Sequence, residues 1–221
     1  MSIKYFVRTT LDRQLDSSYS QIEYELLIDK NHNVNKIFGD QLLSISNYDV
    51  VLLEDDLILC KDFKNRIEKV IHKYPNKIIN FFTMPMKYFY KEITGIAGHN
   101  FCYNQCTYIP KELLKMLGTK INEIIKNGYT KKYLGRESPE AYIKYALCEL
   151  QIGTLTYRPC LVQHIDDGSL MNHTSSFSRR TPFFIDYLDE LGITYEEAGS
   201  EENKKKLKAL LKEKFKEAND K

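Results

Sequence analysis

Three adjacent carboxylates interrupt the most apolar stretch of the sequence. The segment from Tyr48 to Cys60 reads YDVVLLEDDLILC, so Glu54, Asp55 and Asp56 separate two runs of aliphatic residues. Like charges repel, and partial burial raises the free energy of each ionised carboxylate. We therefore expect either a compensating cation beside the acids or a strand that emerges into solvent here. Hard divalent cations take carboxylate oxygens as ligands, often together with substrate phosphates.

A histidine follows a second apolar stretch later in the chain. In YRPCLVQHIDDGS, His164 comes two residues after the Leu161–Val162 pair, so we expect it to emerge at the end of a strand. A neutral imidazole is a good ligand for ions such as Mn²⁺ and complements carboxylate ligands. The alternative is a hydrogen-bonded histidine at the edge of the core, just as the acids could simply be solvated at a strand end.

The elements that must position these residues alternate between strand and helix. The sequence predicts strands at 3–10 and 22–29, a helix near 34–46, a strand ending in the acidic triplet, an amphipathic helix at 61–75 and a strand at 77–85. The continuous apolar run before Glu54 is typical of a strand covered on both faces. We therefore predict a doubly wound α/β fold with a mostly parallel central sheet flanked by helices.

Polar side chains follow three of these predicted strands. They are Arg8, Thr9 and Thr10 after the first strand, Asp29 after the second, and the acidic triplet after the third. In open α/β sheets, ligands bind beyond the carboxyl ends of the strands. The sequence therefore predicts a ligand cleft at the edge where these side chains meet.

The second half of the chain is less regular. We predict irregular strands and loops at 86–110, a helix or broken helix at 111–128, a helix at 138–151 capped by Ser138, and a strand at 154–165. The tail is predicted to be helical, with an apolar stripe of Leu207, Leu210, Leu211 and Phe215. We divide the chain into a catalytic domain at 1–181 and a helical C-terminal extension at 182–221 that packs on it.

Composition limits the classes of function. The chain has 221 residues, 43% of them hydrophobic and 28% charged, and a net charge of +2, which gives no strong attraction for nucleic acid or anionic membrane. Five cysteines without zinc-type pairs favour reduced thiols. The start enters a strand at once, and no apolar run reaches the ~20 residues of a membrane span. We expect a cytoplasmic protein without a signal peptide or transmembrane segment.

Two motifs together resemble the GT-A fold of nucleotide-sugar-dependent glycosyltransferases. VVLLEDDLILCKDF is similar to the strand of that family that ends in a D-x-D motif, often written E-D-D, and RPCLVQHIDDGS is similar to a later strand ending in Gln-His. TYIPKELLKML resembles the strand-to-helix step between them, and the resemblance spans roughly residues 3 to 176. It implies a Rossmann-like GT-A fold and a metal that bridges the donor diphosphate.

The resemblance also implies the metal ligands. Asp56 would be the principal ligand of Mn²⁺ or Mg²⁺, and His164 would be the second protein ligand. Glu54 or Asp55 would lie near the ribose or a metal-bound water. The metal would act as a Lewis acid on the departing nucleoside diphosphate.

Donor-binding residues follow from the same resemblance. Arg8 and Thr9 would contact the nucleotide, and Asp29 would contact its uracil or ribose, which makes a UDP-sugar the expected donor. Arg179, with Arg180, would be a mobile clamp on the donor, and a solvated pair is the alternative.

A catalytic base is required only if the reaction inverts the anomeric configuration. In inverting members this base is often an acid at the start of the helix before the Gln-His strand, where GRESPEAYIKYALCEL offers Glu137 and Glu140. Ser138 and Pro139 interrupt the usual acidic pair, so inversion and retention both stay open. The alternative role for Glu140 is stabilisation of the helix dipole.

These expectations describe a metal-dependent glycosyltransferase that moves a sugar from a nucleotide sugar to a hydroxyl. The acceptor could be a glycan, a protein side chain or a hydroxylated base in nucleic acid. The alternatives are a metal-dependent nucleotidyltransferase, against which the first strand lacks a Gly-rich phosphate loop, and a non-catalytic nucleotide-sugar-binding module.

Lysines crowd the C-terminal segment, which the resemblance does not cover. They are Lys204, Lys205, Lys206, Lys208, Lys212, Lys214 and Lys216. We favour a helix docked on the catalytic domain with its lysines solvated. The alternative is a peripheral anionic partner, either a membrane surface or a nucleic-acid acceptor.

Overall fold

The computed structural model describes residues 2–30, 33–83, 92–102, 104–129, 138–165 and 180–219. Strands and helices alternate in the first part of the chain, as predicted. They are β1 (Ile3–Thr9), β2 (Tyr24–Ile28), α1 (Val34–Ser44), β3 (Asp49–Glu54), β4 (Leu57–Leu59), α2 (Phe63–Lys73) and β5 (Ile79–Asn80). A short 3₁₀ helix, Ser17–Gln21, lies between β1 and β2.

The remaining elements are short strands and helices of 4 to 19 residues. They are β6 (Ile93–Ile96), β7 (Cys106–Ile109), α3 (Lys111–Asn127), α4 (Pro139–Glu149), β8 (Thr154–Tyr157), β9 (Val162–His164), α5 (Ile185–Leu191), α6 (Tyr195–Ala198) and α7 (Glu201–Asn219). Ser138 caps α4 as predicted, because its hydroxyl accepts a hydrogen bond from the Ala141 N–H (3.2 Å). Gly128 ends α3 in a left-handed conformation (φ 62°), which glycine adopts without steric cost.

A seven-stranded sheet forms the centre of the fold, with strand order β2-β1-β3-β7-β5-β8-β6. Strand β1 pairs in parallel with β2 and β3, and β5 pairs in parallel with β8. The pairings β3–β7, β5–β7 and β6–β8 are antiparallel. The α/β class is therefore confirmed, but the sheet is mixed, and the mostly parallel arrangement that we expected is not confirmed. The physical reason is that β7 runs between β3 and β5 in the direction opposite to both.

The last predicted strand is divided in two. Thr154–Tyr157 belongs to the central sheet, whereas Val162–His164 pairs antiparallel with β4 in a separate two-stranded sheet. Pro159 lies between the two pieces, and proline has no N–H to donate to a sheet. This division carries His164 away from the central sheet and places it beside β4.

Two clusters of buried side chains cover the two faces of the sheet. Along β3, Val51 and Leu53 belong to one cluster, and Val50 and Leu52 belong to the other. This alternation explains the continuous apolar run before Glu54, because both faces of β3 are buried. The cluster that contains Val51 also includes residues of α2, α5 and α7, among them Leu207, Leu210 and Leu211. In the part of the chain that the structure describes, no helix combines the length and the apolar character that crossing a bilayer requires.

Candidate functional site

The acidic triplet lies where the chain leaves the central sheet. Strand β3 ends at Glu54 and β4 begins at Leu57, so Asp55 and Asp56 form the connection. Leu57 is paired with His164 in the β4–β9 ladder, and the Ile165 N–H donates to the Asp56 carbonyl (2.8 Å). This pairing brings the two predicted metal ligands together. The His164 Nε2 atom lies 3.1 Å from Asp56 Oδ2.

The buried side chain of Gln163 fixes the end of β9. Its Nε2 donates to the Thr181 carbonyl (2.8 Å), and its Oε1 accepts from the Thr181 N–H (2.9 Å). The same Oε1 accepts from the backbone N–H of His164 (3.2 Å). The sequence connects the Gln-His pair with a metal site only through His164. In the structure, Gln163 has the separate role of joining the backbone of His164 to that of Thr181.

A second group contacts the same oxygen of Asp56. Arg13 Nη1 donates to Asp56 Oδ2 at 3.0 Å, and the side chains of both residues are only 17% exposed. Arg13 lies in the loop between β1 and the 3₁₀ helix. Sequence analysis missed it, because an arginine in a loop belongs to no periodic pattern. Its one signal is its position shortly after the carboxyl end of the first strand.

Glu54 is held by its own set of partners. Arg8 Nη2 donates to Glu54 Oε2 (3.1 Å) and Asn104 Nδ2 donates to Glu54 Oε1 (3.1 Å), while the Tyr19 hydroxyl donates to the Glu54 carbonyl. Burial raises the pKa of Glu54 to about 7, against a lowering by Arg8 and with a further rise from Asp56. Asn104 is a second residue of the site that the sequence did not indicate.

Asp55 contacts the end of β1. Burial raises the pKa of Asp55, and a hydrogen bond from the Thr9 side chain opposes that rise. The Thr9 hydroxyl oxygen also accepts from the Leu11 N–H (2.9 Å). With Arg8 and Arg13 in contact with the other two acids, the compensating cations that the triplet requires are, in this structure, two guanidinium groups. Three carboxylates against two guanidinium groups leave one negative charge when all five are ionised.

Among the described residues, three buried polar atoms at the carboxyl ends of β1 and β2 have no hydrogen-bond partner. They are Arg8 Nη1, Thr10 Oγ1 and Asp29 Oδ2. The Asp29 N–H donates to the Thr9 carbonyl (2.9 Å), and Asp29 Oδ1 accepts from the Asn33 N–H (2.8 Å). The Arg8 guanidinium lies 4.8 Å from the centre of the Phe38 ring. Buried polar atoms are normally paired, so these three are exceptions among the described residues.

The contact between His164 Nε2 and Asp56 Oδ2, at 3.1 Å, has the length of a hydrogen bond or ion pair. Two ligands that lie about 2.1 Å from an octahedral ion and at right angles to each other are about 3 Å apart, and Asp56 Oδ2 and His164 Nε2 are 3.1 Å apart. No group of three or more His, Cys, Asp and Glu side chains has metal-binding geometry within the described ranges. Asp56 and His164 would supply two protein ligands to an ion such as Mn²⁺ or Mg²⁺, and substrate oxygens and water would supply the others.

The remaining predicted site residues are Glu140, Glu137 and Arg179. Glu140 occupies the first turn of α4 and is partly buried. Glu137 and Arg179 fall outside the described residues. Arg180, the neighbour of Arg179, is buried next to Thr181. The roles of Glu140, Glu137 and Arg179 stay predictions.

Comparison with known proteins assigns no family. No protein-family model matches the sequence, and no curated protein sequence matches it. One similar solved structure is the crystal structure of A197 from STIV, with a TM-score of 0.42 and 15% sequence identity over 76% of this chain and 87% of that chain. A similarity of this size identifies neither a family nor a function, so the site is interpreted from its own geometry.

Proposed function

We propose that this chain is a metal-dependent GT-A glycosyltransferase that transfers a sugar from a nucleotide sugar to a hydroxyl group. The observation that supports this most is the meeting of Asp56 and His164, whose side-chain atoms lie 3.1 Å apart. The two residues come from distant parts of the sequence and are joined by the β4–β9 pairing. Asp56 follows the carboxyl end of β3, and ligands bind beyond such strand ends in α/β sheets.

The unpaired atoms at the ends of β1 and β2 support a nucleoside as the ligand. Asp29 Oδ2 requires a donor and Arg8 Nη1 requires an acceptor. The imide edge of uracil carries an N–H between two carbonyl groups, and ribose hydroxyls both donate and accept. A UDP-sugar would offer groups of both kinds to these atoms, and its diphosphate would then have to reach Asp56 and His164.

Each residue of the site would have a separate role in the reaction. A cation bound by Asp56 and His164 would neutralise the charge that develops on the departing nucleoside diphosphate. Glu54 would hold Arg8 in place, since its two carboxylate oxygens already accept hydrogen bonds from Arg8 and Asn104. If the reaction inverts, Glu140 or Glu137 would take the proton of the acceptor hydroxyl, which belongs to a glycan, a protein side chain or a hydroxylated nucleic-acid base.

Calorimetry of UDP binding, with and without Mn²⁺, tests the proposal. The wild-type protein should bind UDP much more tightly when Mn²⁺ is present, and Asp56→Asn and His164→Ala should each lose this dependence while keeping the fold. His72→Ala is the matched control, because His72 lies on the exposed side of α2. Equal UDP affinity with and without metal, or unchanged affinity in both site variants, would contradict the proposal.

A product assay separates the glycosyltransferase from its alternatives. A transferase should release UDP slowly from a UDP-sugar even without acceptor, because water can replace the hydroxyl. Release of pyrophosphate from a nucleoside triphosphate would instead indicate a nucleotidyltransferase. Metal-dependent binding without release of either product would indicate a binding module.

A further inference from the structure

Asp56 Oδ2 lies within hydrogen-bond distance of two side chains in this structure. Arg13 Nη1 lies 3.0 Å from it and His164 Nε2 lies 3.1 Å from it. The position that a shared cation would take next to this oxygen is thus bordered by a guanidinium group that already carries a positive charge. A divalent cation and the guanidinium repel each other, and they compete for the same oxygen.

The loop that carries Arg13 is held at both ends and free of sheet pairing between them. At its start, the Leu11 N–H donates to Thr9 Oγ1 (2.9 Å), and Leu11 has φ 69°, which residues other than glycine adopt uncommonly. At its end, Asp16 Oδ1 accepts from the Ser18 N–H (2.8 Å) and caps the 3₁₀ helix. Arg13 can therefore leave Asp56 without breaking a strand or a helix.

We propose that Arg13 holds the Asp56 carboxylate until a divalent cation replaces it, and that the released guanidinium then binds the phosphate oxygens of the nucleotide. The first step follows from the shared oxygen. The second follows from the chemistry of arginine, because a planar guanidinium donates two parallel hydrogen bonds to phosphate. The second step rests on the proposed function, whereas the first concerns only Arg13, Asp56, His164 and the ion.

This exchange couples cation binding to nucleotide binding. Before the cation arrives, Arg13 balances a largely buried carboxylate that would otherwise be destabilising. After it arrives, Arg13 is available to the diphosphate at the same edge of the sheet. The cation should therefore bind weakly to the protein alone and more tightly when a nucleoside diphosphate is present. Both ligands favour the same arrangement, in which Arg13 has left Asp56, so each raises the affinity for the other.

The test measures Mn²⁺ binding to the full chain without nucleotide, by electron paramagnetic resonance of free Mn²⁺. Arg13→Gln removes the competing charge, so this variant should bind Mn²⁺ about tenfold more tightly than the wild type. Arg13→Lys keeps a charge and should lie between the two. Arg66→Gln is the matched control, because Arg66 pairs with Asp189 (2.8 Å) away from the site. Thermal unfolding of each variant verifies the fold.

A second titration adds UDP at saturating Mn²⁺. Arg13→Gln should bind UDP about tenfold more weakly than the wild type, the opposite direction to its effect on Mn²⁺. A merely structural role for Arg13 would weaken both ligands together. Unchanged Mn²⁺ affinity in Arg13→Gln, or no Mn²⁺ binding by any folded variant, would overturn the exchange. Tighter Mn²⁺ binding without UDP binding by any variant would support the first step and overturn the second, together with the proposed function.

Discussion

The substitution Glu54→Gln should be more favourable for the stability of the protein at pH 8 than at pH 5. Glu54 is only 20% exposed in its side chain, and its pKa is raised from 4.5 to about 7, mainly by burial. Glutamine has nearly the same size, and its amide oxygen can still accept from Arg8 or Asn104. The substitution therefore removes the titration of residue 54 with little change in packing.

The direction of this pH dependence follows from the raised pKa of Glu54. A carboxyl whose pKa is higher in the folded state than in the unfolded chain stays protonated longer when folded, so its contribution to stability falls as the pH rises through both values. Below pH 4.5 this loss is absent, and above pH 7 it is complete. A shift from 4.5 to about 7 corresponds to about 3 kcal/mol, most of which develops between pH 5 and pH 8. For a chain of this length, the part that develops between pH 5 and pH 8 corresponds to a change of roughly 5–10 °C in melting temperature.

The assay compares melting temperatures of wild type and Glu54→Gln at several pH values, by circular dichroism with EDTA present to remove divalent cations. The difference between variant and wild type should rise by roughly 5–10 °C from pH 5 to pH 8. Glu25→Gln is the control for replacing a carboxylate, because Glu25 is exposed beside Lys4. A constant difference for Glu54→Gln would show that Glu54 does not titrate in this range, and the burial argument would be wrong.

Two further predictions concern residues outside the acidic cluster. If the reaction inverts, Glu140→Gln should lower the rate of sugar transfer by ~100-fold and leave UDP affinity unchanged, with Glu137→Gln as the paired variant. Normal turnover by both variants would exclude these two residues as the base. Retention of the anomeric configuration in the product, measured by NMR, would remove the need for a base. Replacing the exposed lysines of α7 with glutamine should change neither UDP affinity nor melting temperature. At low salt, the wild type should neither sediment with anionic liposomes nor change the electrophoretic mobility of DNA. If the wild type binds either one and the substitutions abolish that binding, α7 has an anionic partner. These lysines are Lys205, Lys206, Lys208 and Lys212.

The edge of the sheet that carries the site could be predicted because it depends on local patterns. The apolar run of β3 identifies a strand buried on both faces, and its end fixes the position of Glu54. Parallel pairing of β1 with β2 and β3 then brings Arg8 next to Glu54 and Thr9 next to Asp29, as the common edge predicted. The antiparallel entry of β7 could not be predicted, because periodicity identifies a strand without giving its direction.

Loop residues account for the part of the site that sequence reasoning missed. Arg13 reaches Asp56 only because the chain turns back after Thr9, with Leu11 in a left-handed conformation that its residue type does not signal. Asn104 reaches Glu54 from the segment just before β7. Neither contact follows from a spacing rule, since each depends on long-range pairing that must form first.

The C-terminal helix α7 is tied to the core more closely than its narrow apolar stripe suggests. Leu207, Leu210 and Leu211 are buried in the same cluster as Val51 of β3 and Phe184. Burying a leucine side chain contributes about 1.5–3 kcal/mol, so the three together contribute about 5–9 kcal/mol. That is comparable with the total stability of about 5–15 kcal/mol of a typical folded protein. Removing α7 would therefore expose apolar side chains of the core and destabilise the protein as well as removing its lysines, which is why the role of its basic face has to be tested by substitution rather than by truncation.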